Sequence, residues 1–174
     1  MKFRKLYLPL LAALAVLIVW RLHHTPETAA PWFASSEPTQ AQPKLPTLKL
    51  WLGAQELDAE LALTPEQERT GMMFRTNILD SDAMIFVLPV PQRAAFWMKN
   101  CPESISAAYI DPDGVIQEIH HLEKQDTTAV TSATDNILYV LETSDGWFAR
   151  HHVGTGTVVR TERGTLAETF IRRR

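Results

Sequence analysis

Short runs in which apolar and polar residues alternate, separated by turn residues, recur along the chain from residue 47 onward. Leu48, Leu50 and Leu52 occupy every second position, and the alternation resumes after a Gly-Ala-Gln turn. A period of two puts successive side chains on opposite faces of a strand. Residues 48–63 therefore predict a hairpin with one apolar face.

The remaining apolar runs predict further short strands. Thr64 and Pro65 provide the N-cap and the first residue of a short helix that leans on the sheet. Many short strands, separated by turns about every ten residues, indicate a mainly β fold. We expect an antiparallel sandwich or a jelly-roll-like barrel with one or two short helices. The strands are assigned to residues 84–88, 94–99, 105–111, 115–122, 137–142 and 157–161, and one helical turn to residues 145–150.

An uncharged run near the N-terminus indicates export. Leu6–Trp20 contains no charged residue, and Lys2, Arg4 and Lys5 precede it. A basic stretch followed by an apolar helix directs the rest of the chain out of the cytoplasm. No small-residue cleavage site follows directly, so we expect residues 1–22 to remain as a single-pass signal anchor in the cell membrane, with the domain on the periplasmic side. A cleaved signal peptide, which would release the domain into the periplasm, is the alternative.

Composition divides the rest of the chain into a linker, a domain and a tail. Residues 23–46 hold five of the 11 prolines together with many polar residues, which predicts a disordered, extended linker. The alternating pattern assigns the β domain to residues 47–162. Residues 163–174 are assigned to a C-terminal tail.

The charge distribution argues against nucleic acid as a partner. Residues 22–171 contain 10 basic and 20 acidic residues, although the whole chain has a net charge of only −3. An acidic body repels phosphate backbones. The single cysteine also rules out an internal disulfide framework and a multi-cysteine metal site.

Three strings occur in the order and register of a known family. They are Gly71-Met72-Met73-Phe74-Arg75, Ala83-Met84-Ile85-Phe86-Val87 and Phe96-Trp97-Met98-Lys99-Asn100. The chain resembles the family called domain of unknown function 192, whose members read GLMFR, GMLFVF and FWMKNT there. Tyr109-Ile110-Asp111, Leu141-Glu142 and Gly146 continue the match over residues 47–160. The resemblance implies a mainly β, sandwich- or jelly-roll-like, often exported domain, and it implies no activity.

The chain departs from the family pattern at four positions. Cys101 stands where FWMKNT ends in threonine, and Ser104 and Ser106 replace the proline and the aspartate of the family's IPLD string. Thr157 replaces the aspartate of a late Gly-Asp pair. Two carboxylates that a metal site or a general base would use are therefore missing.

The family strings contain the best candidates for a binding site. We assign ligand binding to Arg75, Trp97, Lys99, Asn100 and Glu142. An indole ring beside cationic donors and an amide suits a small anionic or sugar-like ligand, through stacking and charge-assisted hydrogen bonds. In the alternative interpretation, Trp97 belongs to the core and the two cations form ion pairs with Glu142 or other acids.

We assign no catalytic residue, metal ion or cofactor. Cys101 is expected to be a buried, inert thiol, since no sequence signal brings a base to it. We therefore expect a membrane-tethered, extracytoplasmic, non-catalytic module that binds a small ligand or an envelope protein. An envelope hydrolase acting on a small polar substrate is the alternative. A copper(I) chaperone using Met72, Met73, Met84 and Met98 is a third hypothesis.

Overall fold

The computed structural model describes residues 37–171. The predicted signal segment, residues 23–36 of the predicted linker and the three terminal arginines lie outside the described residues. Within residues 37–171, no helix is long and apolar enough to cross a membrane.

The described chain is mainly β, as predicted, and it contains three short helices rather than one or two. The strands are β1 (Thr47–Leu52), β2 (Gln55–Ala62), β3 (Ala83–Gln92), β4 (Ala95–Phe96), β5 (Ile105–Ile110), β6 (Ile116–Leu122), β7 (Val130–Thr131), β8 (Ile137–Ser144), β9 (Val159–Thr161) and β10 (Gly164–Thr165). The helices are α1 (Pro65–Thr70), α2 (Trp147–Arg150) and α3 (Leu166–Phe170).

Eight strands form one curled, half-barrel sheet in the order β10-β9-β1-β2-β3-β8-β5-β6, and β4 pairs with β7 in a separate two-stranded sheet. The prediction of an entirely antiparallel sheet is wrong at one place. β2 and β3 run parallel, in a register from Ala59 opposite Ala83 to Ala62 opposite Phe86. Parallel neighbours require a crossover connection, and residues 63–82 with α1 provide it.

The predicted β1–β2 hairpin is confirmed. Leu52 pairs with Gln55 across a turn in which Gly53 has a φ of 65°, a conformation that glycine adopts at no steric cost. Thr64 forms a capping box with Gln67, which fixes the start of α1. Sequence therefore determines this part of the fold through local signals.

The predicted strand at residues 94–99 is much shorter than expected. Only Ala95 and Phe96 pair with a neighbouring strand, and the chain then turns away. Asn100 has a φ of 60°, which no strand accommodates.

Beyond β9, two elements lie in the stretch assigned to the tail, where Thr165 caps α3 and Leu166 packs in the core.

The larger sheet packs apolar side chains on both of its faces. Along β3, Ile85 belongs to one core cluster, whereas Met84 and Phe86 belong to the other. β5 and β8 are also buried along their whole length, and they show mainly apolar stretches such as residues 137–141 rather than alternation. The first cluster includes Leu48, Leu50, Leu52, Tyr139, Trp147, Phe148 and Leu166, and the second includes Met72, Met73, Met98, Tyr109 and Val140.

Residues 42–45, which the sequence assigned to the linker, are hydrogen-bonded to the domain. Gln42 Nε2 donates to the carbonyl oxygens of Gly71 at 2.9 Å and Gln67 at 3.2 Å, where α1 ends. The Gln67 carbonyl also accepts from the Gly71 N–H at 2.8 Å, so Gln42 adds a second donor there and supplies one to the Gly71 carbonyl. Leu45 packs against the second core cluster. The chain thus enters the domain along the face that carries this cluster.

Candidate functional site

A buried carboxylate on β2 organises the face of the sheet that the second core cluster covers. Glu60 is 3% exposed. Its Oε1 accepts from Arg75 Nη1 at 2.6 Å and its Oε2 from Arg75 Nη2 at 2.7 Å, so the pair is bidentate. The Leu45 backbone N–H donates to Oε2 at 2.8 Å, and Lys44 Nζ lies 3.3 Å from Oε1. Burial opposes the charge, but these donors outweigh it, and the pKa of Glu60 is lowered.

The role of Arg75 follows from this pair. Its guanidinium binds Glu60 and not Glu142, so the alternative in which Arg75 pairs with another acid is confirmed. Because Nη1 and Nη2 both donate to Glu60, Arg75 attaches its loop to β2. Sequence reasoning missed Glu60, because the alternation along β2 places it among solvent-facing positions. It is buried because Arg75, Lys44 and Leu45 lie against that face of β2.

The loop that follows β4 is held in a strained conformation by its neighbours. Phe74, Asn100 and Gln125 have φ values of 61°, 60° and 61°, which are uncommon for residues with side chains. The Phe74 N–H donates to the Asn100 carbonyl oxygen at 2.7 Å, and the Gln125 N–H donates to the Cys101 carbonyl oxygen at 3.1 Å. Three loops are therefore joined at one place. Backbone strain of this kind clusters at functional sites.

Trp97 lies on the outside of this loop. It is 46% exposed, whereas the neighbouring Met98 is buried. The alternative in which Trp97 is a core residue is therefore wrong. Lys99 Nζ lies 5.6 Å from the centre of the indole ring, within the range of a cation–π contact. Asn100 follows in the same loop, and no hydrogen bond of its side chain is found among residues 37–171.

Glu142 lies beneath the loops. It is 4% exposed, and its Oε2 has no hydrogen-bond partner in the described part of the chain. Burial raises the pKa of Glu142 to about 8, and the nearby charge of Arg75 only partly offsets this effect. Glu142 is therefore mainly a neutral acid at neutral pH. A buried acid with a perturbed pKa is a recognised sign of a functional site.

Cys101 packs in the second core cluster beside Met72, Met73, Met84 and Met98. Burial first, and then the charge of Glu142, raises the pKa of its thiol to about 12. It is thus a buried free thiol, as expected, and it carries almost no thiolate. The four methionines share this apolar cluster, which is the packing role that methionine usually plays.

The structure explains one departure from the family pattern. Ser106, where the family has aspartate, accepts a hydrogen bond from the Gly146 N–H at 2.9 Å through its Oγ. A serine hydroxyl supplies the same kind of acceptor as a carboxylate at this position. Residue 106 therefore holds the turn before α2. Having serine there instead of aspartate removes no base from the Trp97 loop.

The family model DUF192, described as "Uncharacterized ACR", matches residues 49–161. The similar solved structures include the following two. A putative transcription regulator from Sinorhizobium meliloti 1021 is 26% identical, with a TM-score of 0.61 over 66% of this chain and 92% of that chain. A protein of unknown function from Novosphingobium aromaticivorans DSM 12444 is 27% identical, with a TM-score of 0.64 over 76% of this chain and 98% of that chain. None of the curated proteins matches.

We expect Arg75→Ala to destabilise the protein strongly. The substitution leaves the Glu60 carboxylate buried without its guanidinium, and breaking a buried pair in this way costs about 3–5 kcal/mol. Urea denaturation of the full chain, followed by tryptophan fluorescence, measures the free energy of unfolding. Arg69→Ala, at an exposed position of α1, is the control and should change it little. Equal effects of the two substitutions would contradict the role given to Glu60.

We expect Glu142→Gln to change the pH dependence of stability. The folded-state pKa is about 8, above the ordinary value of 4.5, so the folded protein holds the proton more tightly. Stability should therefore fall as pH rises from about 4.5 to about 8, and the glutamine variant should lack this fall. Urea denaturation at several pH values measures the difference. Glu162→Gln, at an exposed site, should keep the wild-type slope, and a wild-type slope in Glu142→Gln would refute the assignment.

Proposed function

The chain belongs to the DUF192 family, and we propose that its β domain is a non-catalytic binding module for a small sugar-like ligand at Trp97. The observation that carries the proposal is the half-exposed indole of Trp97 with Lys99 Nζ 5.6 Å from its centre, in the loop that also holds Asn100. Sugar rings stack on the faces of aromatic side chains, and amides bond to their hydroxyl groups.

The fixed conformation of the loop supports binding. The contact between Phe74 and Asn100 joins the Trp97 loop to the loop that Arg75 attaches to Glu60. A site that is already ordered loses little conformational entropy when a ligand binds. In this proposal Arg75 is a positioning residue, and Trp97, Asn100 and Lys99 contact the ligand.

The state of the two most reactive side chains in this region, Cys101 and Arg75, supports a binding role rather than catalysis. The Cys101 thiol is buried and protonated, and the guanidinium of Arg75 is occupied by Glu60. A nucleophile needs a lowered pKa or an adjacent base, and neither is found at Cys101 in the described residues. We therefore favour binding over turnover.

One observation favours the alternative of an envelope hydrolase acting on a small polar substrate. Glu142 is a buried acid without a partner for its Oε2 among the described residues. Such a group could donate a proton to a leaving group if a substrate reached it. If the protein hydrolysed a bound oligosaccharide and Glu142→Gln abolished that hydrolysis, the hydrolase would be favoured over the binding module.

We further propose that residues 1–22 anchor the domain in the cell membrane, on the extracytoplasmic side. The uncharged run Leu6–Trp20 and the basic residues before it support this location. The domain's entry segment supports a tether as well, because Gln42 and Leu45 attach the chain firmly at the point where the linker ends.

Trp97→Ala should weaken sugar binding by the full chain about tenfold, because it removes the stacking surface. Immobilised neutral and acidic oligosaccharides serve as probes, with the full chain purified in mild detergent. Trp51→Ala is the matched control, since Trp51 is a half-buried indole on β1. Absence of binding to every oligosaccharide, or equal loss in the two variants, would contradict the proposal.

The anchor predicts that the full chain sediments with membranes and keeps its N-terminus. Alkaline carbonate should leave it in the membrane pellet, since only integral segments resist this extraction. Intact mass measurement should give the uncleaved chain. A soluble protein whose mass lacks the first 28 to 30 residues or so, about the length of a secretory signal, would instead show a cleaved signal peptide.

A further inference from the structure

Strand β6, at one edge of the larger sheet, carries a histidine whose two ring nitrogens both contact carboxylates. His121 Nδ1 lies 2.8 Å from Asp145 Oδ1, and His121 Nε2 lies 3.2 Å from Glu123 Oε2. Asp145 belongs to the turn between β8 and α2, whereas Glu123 follows β6 directly. The ring therefore joins the edge of the sheet to the segment that leads into α2.

This geometry determines the protonation state of the ring. A neutral imidazole has one N–H donor and one acceptor nitrogen, whereas an ionised carboxylate only accepts hydrogen bonds. Two carboxylates can be bonded at once only when both nitrogens carry a proton, so the His121 ring in this arrangement is an imidazolium. In agreement, the hydrogen bond to Asp145 first, and that to Glu123 second, raise the pKa of His121 above its ordinary value of 6.5.

The turn that contains Asp145 is bonded to β5 as well. Ser106 is the Cα partner of His121, and its Oγ accepts from the Gly146 N–H at 2.9 Å and donates to Asp145 Oδ1 at 3.4 Å. Gly146 has a φ of 70° and is the N-cap of α2, whose first two residues are buried. The contacts of His121 thus bear on the point where α2 begins.

Arg150 reaches the same turn from α2. Its Nη1 donates to the Asp145 carbonyl oxygen, and its Nη2 donates to Asp80 Oδ1 in the crossover. A guanidinium stays charged in proteins, so these bonds do not depend on the proton of His121. The turn therefore keeps one attachment when the histidine contact is lost.

The remaining charged groups near the ring leave its two carboxylate partners unchanged. The bond from His121 is the largest influence that lowers the pKa of Glu123, and the charge of the adjacent Lys124 acts in the same direction. Glu123 therefore stays ionised over the range in which histidine titrates. His120 points to the opposite face of β6, where it contacts Glu118.

We propose that His121 is a pH-sensitive latch on the start of α2. The protonated ring attaches the Asp145–Gly146 turn to the end of β6, and loss of one ring proton breaks one of its two bonds and removes the charge that both carboxylates face. Because the folded-state pKa is raised, the latch is closed below about pH 6.5 and opens as pH rises through the folded-state value. Histidine is the side chain whose charge ordinarily changes in this range.

NMR titration of the full chain in mild detergent tests the protonation of the latch. The His121 ring should titrate above 6.5 in the wild type, and its pKa should fall in Asp145→Asn and in Glu123→Gln. His152→Asn is the control, because it removes an exposed histidine at a φ of 55° that asparagine tolerates. A His121 pKa at or below 6.5, or one that the two acid variants leave unchanged, would overturn the proposal.

Amide hydrogen exchange tests whether the proton holds the turn. The protection factor of the Gly146 amide, relative to that of Gly114, should fall about threefold between about pH 5.5 and about pH 8.5, as for an exposed ion pair. This fall should persist in His152→Asn and vanish in His121→Gln, which the fold should tolerate because the side chain is half-exposed. Glu142 titrates in the same window, so the comparison of wild type with His121→Gln isolates the ring.

Two outcomes of the exchange experiment would contradict the latch. One is a protection factor of Gly146 that does not change with pH in the wild type. The other is a change of the same size in His121→Gln, which would assign the pH dependence to another group.

Discussion

The buried Glu60 carboxylate is the interaction on which the candidate site depends. It lies in a sheet interior where an unpaired charge would be very costly. Arg75, the Leu45 N–H and Lys44 compensate it from two separate segments of the chain. One carboxylate therefore attaches both the entry segment and the 71–75 loop to β2. Removing Arg75 would leave the buried charge with only the Leu45 N–H and Lys44.

Glu142 lies in the same transverse row of the sheet and has the opposite character. Met84 is the Cα partner of both glutamates, on neighbouring strands. Glu60 has four donors and remains charged, whereas burial without a partner for its Oε2 keeps Glu142 mainly neutral. Two acids of the same type thus differ because Arg75 binds only one of them. The neutral acid lies beneath the loop that presents Trp97.

Local signals predicted much of the fold. The β1–β2 hairpin follows from alternation and a glycine turn, and α1 follows from its capping box. The parallel pairing of β2 and β3 could not be predicted, because the paired residues 83–86 are buried on both faces and their sequence shows no periodicity. The capping box of α3, Thr165 to Glu168, was a readable signal that the tail assignment overlooked.

The site was less predictable than the fold. The family strings drew attention to Arg75, Trp97 and Asn100, but they did not reveal that Arg75 is occupied by Glu60. That pairing depends on a tertiary contact between β2 and a distant loop.

Amide hydrogen exchange in Glu60→Gln tests the central role of this carboxylate most directly. The glutamine keeps the shape of the side chain but loses the charge that binds Arg75 and the Leu45 N–H. We predict that the amides of Leu45 and Phe74 lose protection together, while the Gly114 amide, bonded to Asp111 in a separate turn, keeps its protection. Unchanged protection at Leu45 and Phe74 would show that the entry segment and the loop are held by other contacts.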